Sequence, residues 1–163
     1  GHAAQQTEQS LNGFKGNILV LCGDMPLIKT KTLERLLQQH KVMATKCSVL
    51  TLKSKAKHDF GRIIRDVDGS ILKIVEHRDA SPKEKIVDES NSGVYCFDKE
   101  LFFKALCCLG DDNDQKEYYL TDTLEYAMKN GYPVASVQTE NTDEIFGINS
   151  PEDLKRAEKL LEK

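Results

Sequence analysis

The sequence predicts an α/β fold, in which helices cover the faces of one mixed β-sheet that carries an inserted β-hairpin. Strand-like and helix-like segments alternate along the 163 residues, which is the pattern that such a sheet requires. Residues 17–22 and 47–52 are almost continuously apolar, as expected of strands buried on both faces. The length suits a single domain, and no linker or internal repeat interrupts the chain. We therefore predict one domain over residues 1–163.

The first half of the chain adds a helix and a hairpin to these two strands. Thr30 is a plausible N-cap for a helix that presents a leucine face between them. Residues 61–65 and 71–76 bracket an Asp-Gly dipeptide at 68–69, which is typical of tight hairpin turns. The charged segment 77–88 that follows is predicted to be an exposed loop.

The second half continues the alternation of strands and helices. Residues 93–97 are strand-like, and Asp98 can cap the helix that follows. Thr121 or Asp122 starts another helix, with Glu125 completing a capping box from Asp122.

The C-terminal part of the chain is predicted to contain two short strands and a last helix. The strands are residues 134–137 and 145–148. Ser150 caps the last helix and Pro151 takes its first position. The side chains expected to form the buried stripe of this helix are Leu154, Ala157, Leu160 and Leu161.

Charge and hydropathy exclude two classes of partner. The 23 basic and 26 acidic side chains give a net charge of -3, spread along the chain. This balance provides no electrostatic footprint for nucleic acid, although it leaves room for a small phosphorylated ligand. The longest apolar runs are only a few residues, so we expect no membrane span.

The cysteines and histidines suggest no redox or hydrolytic centre. The cysteine count is odd and no Cys-x-x-Cys pair occurs, so we expect reduced thiols that act as small hydrophobic side chains in the cytoplasm. None of the four histidines is paired at a nucleophile–base spacing, so a hydrolase triad is unsupported and surface positions are expected for them. These residues are Cys22, Cys47, Cys96, Cys107 and Cys108, and His2, His40, His58 and His77.

Asp24 is the first candidate site residue, because it follows the end of the first predicted strand. Ligands of open α/β sheets bind at this edge, and Gly23 lets a ligand approach the backbone. A carboxylate there suits Mg²⁺, which proteins hold by one or two carboxylates and substrate phosphates. An ordinary strand-to-loop turn with a solvated Asp24 explains the motif equally well.

The other candidate residues also have structural explanations. Gly61 and Glu76 fit the wet face of a hairpin, although a buried glutamate at a strand end could accept hydrogen bonds from sugar hydroxyls. Asn91 lies in a turn-like Asn-Ser-Gly cluster, and Thr121 fits a helix cap. Asn149 is not explained by capping, and its amide oxygen could complete a metal shell.

Taken together, these motifs resemble the bacterial N-acetylglucosamine-1-phosphate uridylyltransferases, within the sugar-phosphate nucleotidyltransferases. The resemblance covers nearly all of the chain. The motifs that carry it are Gly23-Asp24-Met25-Pro26-Leu27, Gly61-Arg62-Ile63, Ile74-Val75-Glu76, Asn91-Ser92-Gly93, Glu117-Tyr118-Tyr119-Leu120-Thr121-Asp122 and Gly147-Ile148-Asn149.

The family likeness implies a Rossmann-like, mostly parallel sheet of the nucleotide-diphospho-sugar transferase type, incomplete at its N-terminal side. The chain would then be the central and sugar-binding part of a longer domain. The family's basic, Gly-rich loop and its C-terminal acetyltransferase domain would both be absent from these residues. From this we expect little or no turnover by the chain alone. We also expect it to pair with another copy or with the missing N-terminal part.

For the reaction, the resemblance implies that UTP and N-acetylglucosamine-1-phosphate form UDP-N-acetylglucosamine, a cell-wall precursor, and pyrophosphate. Asp24 would be catalytic and, with Asn149, would hold Mg²⁺. The nucleotide would lie against Cys22, Gly23 and Asp24. The sugar phosphate would be held by Gly61, Glu76, Asn91, Tyr119 and Thr121.

Two alternatives to this function remain open from the sequence. The substrate could be glucose-1-phosphate, with UTP or TTP as the nucleotide. The chain could instead be a non-catalytic, nucleotidyltransferase-like module with a regulatory or assembly role.

Overall fold

A computed structural model describes residues 1–54 and 59–162, which fold into a mixed six-stranded sheet with helices packed on both faces. The strands are β1 (Asn17–Val20), β2 (Cys47–Lys53), β3 (Arg62–Arg65), β4 (Ile71–Val75), β5 (Glu89–Asp98) and β6 (Val134–Thr139). The α-helices are α1 (His2–Gln5), α2 (Thr30–Val42), α3 (Pro82–Lys85), α4 (Lys99–Leu106), α5 (Asp122–Lys129) and α6 (Pro151–Leu161), with short 3₁₀ helices at Gln9–Leu11 and Thr142–Ile145.

The order of strands in the sheet is β4-β3-β5-β2-β6, with β1 also paired to β5. The expectation of a mostly parallel sheet is corrected here: the ladder between β2 and β6 is parallel, and the other ladders in the described residues are antiparallel. The reason is the position of β5. Strands β1, β2, β3 and β6 share one direction, but β5 runs the opposite way and separates β1 and β3 from β2.

Two hydrophobic cores lie on opposite faces of the sheet, which explains the apolar run of β2; the prediction of burial on both faces is wrong for residues 17–22, which are half-buried or exposed. On β2, Val49 faces the core that includes the side chains of α4 and α5. Its neighbour Leu50 faces the second core, which includes Leu36 of α2. Because successive side chains of a strand point to opposite faces, a strand between two layers of helices must be apolar at almost every position.

Strand β5 is longer than predicted and contains an irregularity that shapes the site. It spans Glu89–Asp98 rather than residues 93–97, so the Asn-Ser-Gly cluster lies within a strand instead of a free turn. The register with β2 shifts between the pairs Val49–Tyr95 and Thr51–Asn91. Gly93 sits in this bulge with φ +80°, a conformation that favours glycine.

Two loop and strand predictions are wrong in the structure. The segment 77–88 is not wholly a loop, because Ser81 and Glu84 form a capping box and Pro82 takes the first position of helix α3. Residues 145–148 do not form a strand. The chain makes a 3₁₀ turn at Thr142–Ile145 and then continues as irregular backbone.

Several predicted helix features also differ from the structure. Helix α2 is preceded by Lys29, so Thr30 is its first residue rather than its cap. The capping box predicted from Asp122 to Glu125 is absent, because Asp122 is the first residue of α5 rather than its cap; Thr121 precedes the helix and makes no side-chain cap hydrogen bond. Asp98 and Ser150 do cap α4 and α6 as predicted.

The buried stripe predicted for α6 is largely absent, because this helix lies at the surface. Ala157 is buried. Leu154 and Leu161 are exposed, and Leu160 is half-buried.

The environments of the cysteines and histidines are mixed. All five thiols are free, but only Cys47 and Cys96 are buried, so the other three do not serve as core side chains. His40 is buried rather than on the surface. Its Nδ1 lies 2.9 Å from the Ser48 hydroxyl, and burial lowers its pKa. His58 lies outside the described residues.

Candidate functional site

A cavity of about 710 Å³ opens where β1 ends, between the β3–β4 hairpin, the bulge of β5 and the segment that leads into α6. Most of the residues predicted for the site lie on its wall, namely Cys22, Asp24, Gly61, Glu76, Asn91 and Asn149. A larger cavity of about 970 Å³ lies against α4 and includes Cys107 and Cys108, but none of the predicted site residues. We therefore identify the site by its chemistry rather than by its size.

Asp24 and Asn149 are brought together at one end of this cavity. The backbone N–H of Ile148 donates to the carbonyl oxygen of Asp24 over 2.9 Å, which joins the two segments. A Cβ atom at Gly147 would lie 3.1 Å from Oδ2 of Asp24 and 3.4 Å from Nδ2 of Asn149. The glycine therefore leaves the space that these two side chains share.

These two side chains fit a hard divalent cation. Within residues 1–54 and 59–162, the carboxylate of Asp24 and the carboxamide of Asn149 have no hydrogen-bond partner. A carboxylate and an amide oxygen are the donor types that Mg²⁺ accepts, with substrate phosphates and waters completing its shell. We refer to this region as the metal end of the cavity.

The backbone before α6 fixes the position of Asn149. Its N–H donates to the carboxylate of Asp153 over 3.1 Å. The same carboxylate accepts from the hydroxyl of Ser150 over 2.9 Å, and this hydrogen bond lowers the pKa of Asp153. The start of α6 is therefore rigidly capped, with Asn149 immediately before it.

Glu76 and Gly61 form a second part of the cavity wall, which we call the sugar end after the role that the sequence resemblance implies for it. A Cβ atom at Gly61 would lie 3.2 Å from Oε2 of Glu76, so glycine permits close approach to this carboxylate. The hydroxyl of Thr121 donates to Oε1 of Glu76 over 2.9 Å. Burial raises the pKa of Glu76, and the hydrogen bond from Thr121 opposes that shift. A half-buried carboxylate of this kind can accept hydrogen bonds from ligand hydroxyls.

Asn91 is held in one orientation by its own strand. Its Oδ1 accepts from the N–H of Gly93 over 3.1 Å, and its Nδ2 donates to the hydroxyl of Tyr95 over 2.7 Å. A carboxamide nitrogen has two hydrogens, so one donor remains. Asn91 is thereby suited to meet an acceptor on a ligand.

Cys22 faces the same bulge of β5. Its thiol donates to the carbonyl oxygen of Gly93 over 3.7 Å. Partial desolvation of this otherwise exposed residue and the nearby charge of Asp24 raise the pKa of the thiol. The side chain is therefore a neutral wall of the cavity rather than a thiolate nucleophile.

Three predicted residues do not line the cavity, namely Gly23, Tyr119 and Thr121. Thr121 is buried and reaches the cavity only through its hydrogen bond to Glu76. The hydroxyl of Tyr119 accepts from Nε2 of Gln115 over 2.8 Å. The predicted contacts of these three residues with a ligand stay predictions.

Sequence reasoning missed the contribution of α6 to the cavity. Asp153 and Arg156 both line it, three residues apart on one face of the helix. Their spacing shows that the two side chains share one face of the helix, but not that this face is turned toward the cavity. Phe146 was also missed, although it precedes the Gly147 motif.

Comparison with known proteins places the chain in one family. A family model described as nucleotidyl transferase matches residues 2–162. The bifunctional protein GlmU of Bacillus velezensis is 42% identical over 160 residues, and GlmU of Pelobacter propionicus is 41% identical over 161 residues. These alignments cover 98% and 99% of this chain, respectively, and 35% of each relative. The chain therefore spans about a third of the length of the curated relatives it matches.

Solved structures support the fold alone, because their sequence identities are low. A putative glucose-1-phosphate thymidylyltransferase from Bacillus anthracis, in complex with a sucrose, has a TM-score of 0.66 at 19% identity and covers 98% of this chain and 59% of its own. A CMP:2-keto-3-deoxy-manno-octonic acid synthetase complexed with CTP has a TM-score of 0.67 at 17% identity, over 99% and 67%. No helix in the described part of the chain is long and apolar enough to cross a membrane.

Proposed function

Because this chain belongs to the nucleotidyl transferase family, we propose that it is the central and sugar-binding part of a uridylyltransferase. The reaction joins UTP and N-acetylglucosamine-1-phosphate to give UDP-N-acetylglucosamine and pyrophosphate, in the cytoplasm. One observation carries the proposal: in a chain 42% identical to GlmU, one cavity is lined both by Asp24 and Asn149 and by Glu76 and Asn91. The first pair suits a phosphate-bound cation and the second pair suits sugar hydroxyl and amide groups, so the cavity provides for both halves of a sugar nucleotide.

At the metal end, the negative charge of the substrate phosphates must be neutralised. Bound Mg²⁺ would be held by Asp24 and Asn149, where it would neutralise phosphate charge that otherwise keeps two anionic substrates apart. The hydrogen bond from Ile148 to the Asp24 carbonyl holds the two ligand-bearing segments in place. This preorganisation means that little rearrangement is needed when substrates arrive.

At the sugar end, Glu76 would accept hydrogen bonds from sugar hydroxyls. Asn91 would donate its remaining N–H to the acetamido carbonyl of the sugar. Thr121 would hold the Glu76 carboxylate in position. A sugar that lacks one of these groups would leave a buried polar partner unsatisfied, which is the basis of discrimination.

The bond change is a direct in-line displacement. An oxygen of the sugar phosphate attacks the α-phosphorus of UTP, the bond from that phosphorus to the bridging oxygen breaks, and pyrophosphate leaves with the electron pair. No covalent nucleophile is required. The neutral Cys22 thiol agrees with this scheme, since the described cavity offers no activated nucleophile in its place.

We assign turnover to a longer polypeptide that contains this chain, and we expect the chain alone to be nearly inactive. Among the described residues that line the cavity, Arg156 is the only cationic side chain. A triphosphate needs more neutralisation than one arginine and one Mg²⁺ provide.

The test is pyrophosphate release from UTP and N-acetylglucosamine-1-phosphate with Mg²⁺, by the longer polypeptide. Asp24→Asn is expected to lower kcat by at least about a hundredfold, because it removes a charged metal ligand. Asp59→Asn is the matched control, since Asp59 lines the same cavity but its carboxylate is almost fully exposed.

The substrate panel distinguishes the alternatives. Turnover with glucose-1-phosphate in place of the acetamido sugar would identify a glucose-1-phosphate nucleotidylyltransferase. No turnover with any sugar phosphate would contradict the proposal and leave a non-catalytic module.

A further inference from the structure

Arg156 is unusual among the described residues that line the cavity, because the charged side chains around it are acidic. Four carboxylates share the wall, those of Asp24, Asp59, Glu76 and Asp153. Yet the proposed substrates are both phosphorylated anions. Beyond a bound cation, Arg156 is the described side chain able to supply positive charge to such a ligand.

The guanidinium of Arg156 is oriented by contacts that leave its hydrogen-bond donors unused. Its central carbon lies 4.4 Å from the centroid of the Phe146 ring, within the range of a cation–π contact. Its Nη2 forms an ion pair with Oδ1 of Asp143 at 4.0 Å, a distance too long for a hydrogen bond. In the described part of the chain, no hydrogen bond uses the five N–H donors of this side chain.

Asp153, one helical turn before Arg156, interacts with it electrostatically but accepts no hydrogen bond from it. Its carboxylate accepts the hydroxyl of Ser150 and the N–H of Asn149. These contacts fix the carboxylate at the start of α6. The guanidinium therefore keeps its donors available to a ligand.

The chain of contacts places Arg156 at the metal end. The guanidinium stacks over the ring of Phe146. The next residue is Gly147, where a Cβ atom would lie 3.1 Å from Oδ2 of Asp24. A group that touches both a cation at Asp24 and the guanidinium must carry several anionic oxygens, as a phosphate or diphosphate does.

We propose that Arg156 binds a phosphate group of the substrate at the metal end of the cavity, with Phe146 as the platform that holds its guanidinium. This inference rests on the proposed function and names a further substrate-binding residue for it. A planar guanidinium suits this task because two parallel N–H groups match two phosphate oxygens.

The test is isothermal titration of this chain with UDP-N-acetylglucosamine in the presence of Mg²⁺, at two salt concentrations. Arg156→Gln is expected to raise Kd about tenfold, a typical effect of losing a charge-assisted hydrogen bond. It is also expected to weaken the dependence of Kd on salt. Arg156→Lys should recover part of the affinity, since it keeps the charge but not the planar fork.

Two further variants separate phosphate binding from a structural role. Lys155→Gln removes the same charge from the residue just before Arg156, which is exposed and does not line the cavity. The Kd of this variant should therefore match that of the unchanged chain. Phe146→Leu should weaken binding less than Arg156→Gln does. Thermal melting of each variant checks that the fold is kept.

The outcomes distinguish this inference from the proposed function. Equal affinity of the unchanged chain and Arg156→Gln would overturn the inference and leave the proposed function intact. Equal losses in Arg156→Gln and Lys155→Gln would also overturn it, because the effect would then be general electrostatics. Failure of the unchanged chain to bind would count against the proposed function, and the inference would fall with it.

Discussion

Glu76 shows how one side chain combines a proposed binding role with a cost in stability. Burial raises its pKa in the folded state above the ordinary value, against the hydrogen bond from Thr121. The folded protein therefore holds this proton more tightly than the unfolded chain does. The stability from this group is fully present below its unfolded pKa and is lost as pH rises through its folded pKa.

Glu76→Gln is therefore expected to act oppositely on stability and on binding. At neutral pH its free energy of unfolding should exceed that of the unchanged chain, and the difference should vanish in acid, where Glu76 is protonated. Its affinity for N-acetylglucosamine-1-phosphate should fall about tenfold, because a charged acceptor is lost. Thermal melts from pH 4 to 8 and calorimetric titration measure both effects.

Asp59→Asn is the control for Glu76→Gln, since it changes an exposed carboxylate of the same cavity. A stability difference for Glu76→Gln that does not depend on pH would contradict the interpretation. So would unchanged affinity for the sugar phosphate.

The sequence could predict the site residues that follow strands, but not those that depend on packing. Asp24 and Glu76 were found because each lies where a strand ends, and both line the cavity. Thr121 was considered as a helix cap, whereas its hydroxyl is bonded to Glu76, 45 residues earlier in the chain. Arg156 was missed because the face that a surface helix turns toward a cavity is set by tertiary contacts, not by its own periodicity.

The bulge in β5 is the element that positions Asn91 in the cavity wall. Gly93 has φ +80°, and a Cβ atom there would lie 3.1 Å from the sulfur of Cys22. Its N–H is also the group that orients Asn91. A change at Gly93 should therefore disturb both the strand and the site.

Gly93→Ala is expected to lower the free energy of unfolding by about 1–2 kcal/mol, the typical cost of a non-glycine residue in the left-handed region. The measurement is urea denaturation, paired with the affinity for the sugar phosphate, which should also fall. Gly110→Ala is the matched control, because a Cβ atom there meets nothing within 4 Å. Equal stability of both variants would show that the bulge carries no strain.

The segment 146–149 shapes the metal end by its lack of a side chain at Gly147. Gly147→Ala would place a Cβ atom against Asp24 and Asn149, whose side chains can move aside. We therefore expect a small change in stability, within about 0.5 kcal/mol as for mutations that break no packing, but a clear loss of Mg²⁺-dependent ligand binding. Titration of UDP-N-acetylglucosamine with and without Mg²⁺ measures this, and full retention of the Mg²⁺ effect would contradict it.

At the level of elements, the sequence predicted what local chemistry dictates and missed what tertiary contacts decide. The Asp-Gly turn predicted the β3–β4 hairpin correctly, and the structure pairs these strands antiparallel. Residues 145–148 looked like a strand because they contain Ile145, Phe146 and Ile148. They form no strand, since Asn141 caps a 3₁₀ turn and the Ile148 N–H is bonded to Asp24 instead of to a neighbouring strand.

At the scale of the whole molecule, the main feature is one edge of β1 that has no neighbouring strand among the described residues. Within the described residues β1 pairs only with β5, so its other edge presents unpaired backbone groups. Leu21 follows it and is 40% exposed. Exposed strand edges promote pairing with another chain.

We predict that this edge pairs with a second copy of the chain, or with the N-terminal part of the domain when that part is present. Light scattering should show a dimer or a larger species at micromolar concentration. Leu21→Lys should shift the equilibrium toward monomer, because a charged side chain at a strand edge disfavours pairing with another strand. Leu161→Lys changes an exposed leucine on α6 and should have no effect. A monomer at all concentrations would refute the prediction.

The overall architecture was predictable, whereas the directions of neighbouring strands were not. Alternating strands and helices predicted helices packed on a mixed sheet, as found. The apolar runs of β1 and β2 predicted burial on both faces, which holds for β2 only, and burial does not specify which strand lies between them. The position of β5 depends on pairing across the whole chain, which no local pattern encodes.

The hydrogen bond between Ile148 and Asp24 also limits when the site can form during synthesis of the chain. The two metal-end residues, Asp24 and Asn149, are far apart in sequence, so a nascent chain that already contains Asp24 does not yet contain Asn149. As a ribosome releases the chain from its N-terminus, the first strands can pair and bury their cores while Asn149 is still being made. The metal end therefore cannot assemble until residue 149 has been made, and a chain terminated before that residue would present a sheet without a complete metal end.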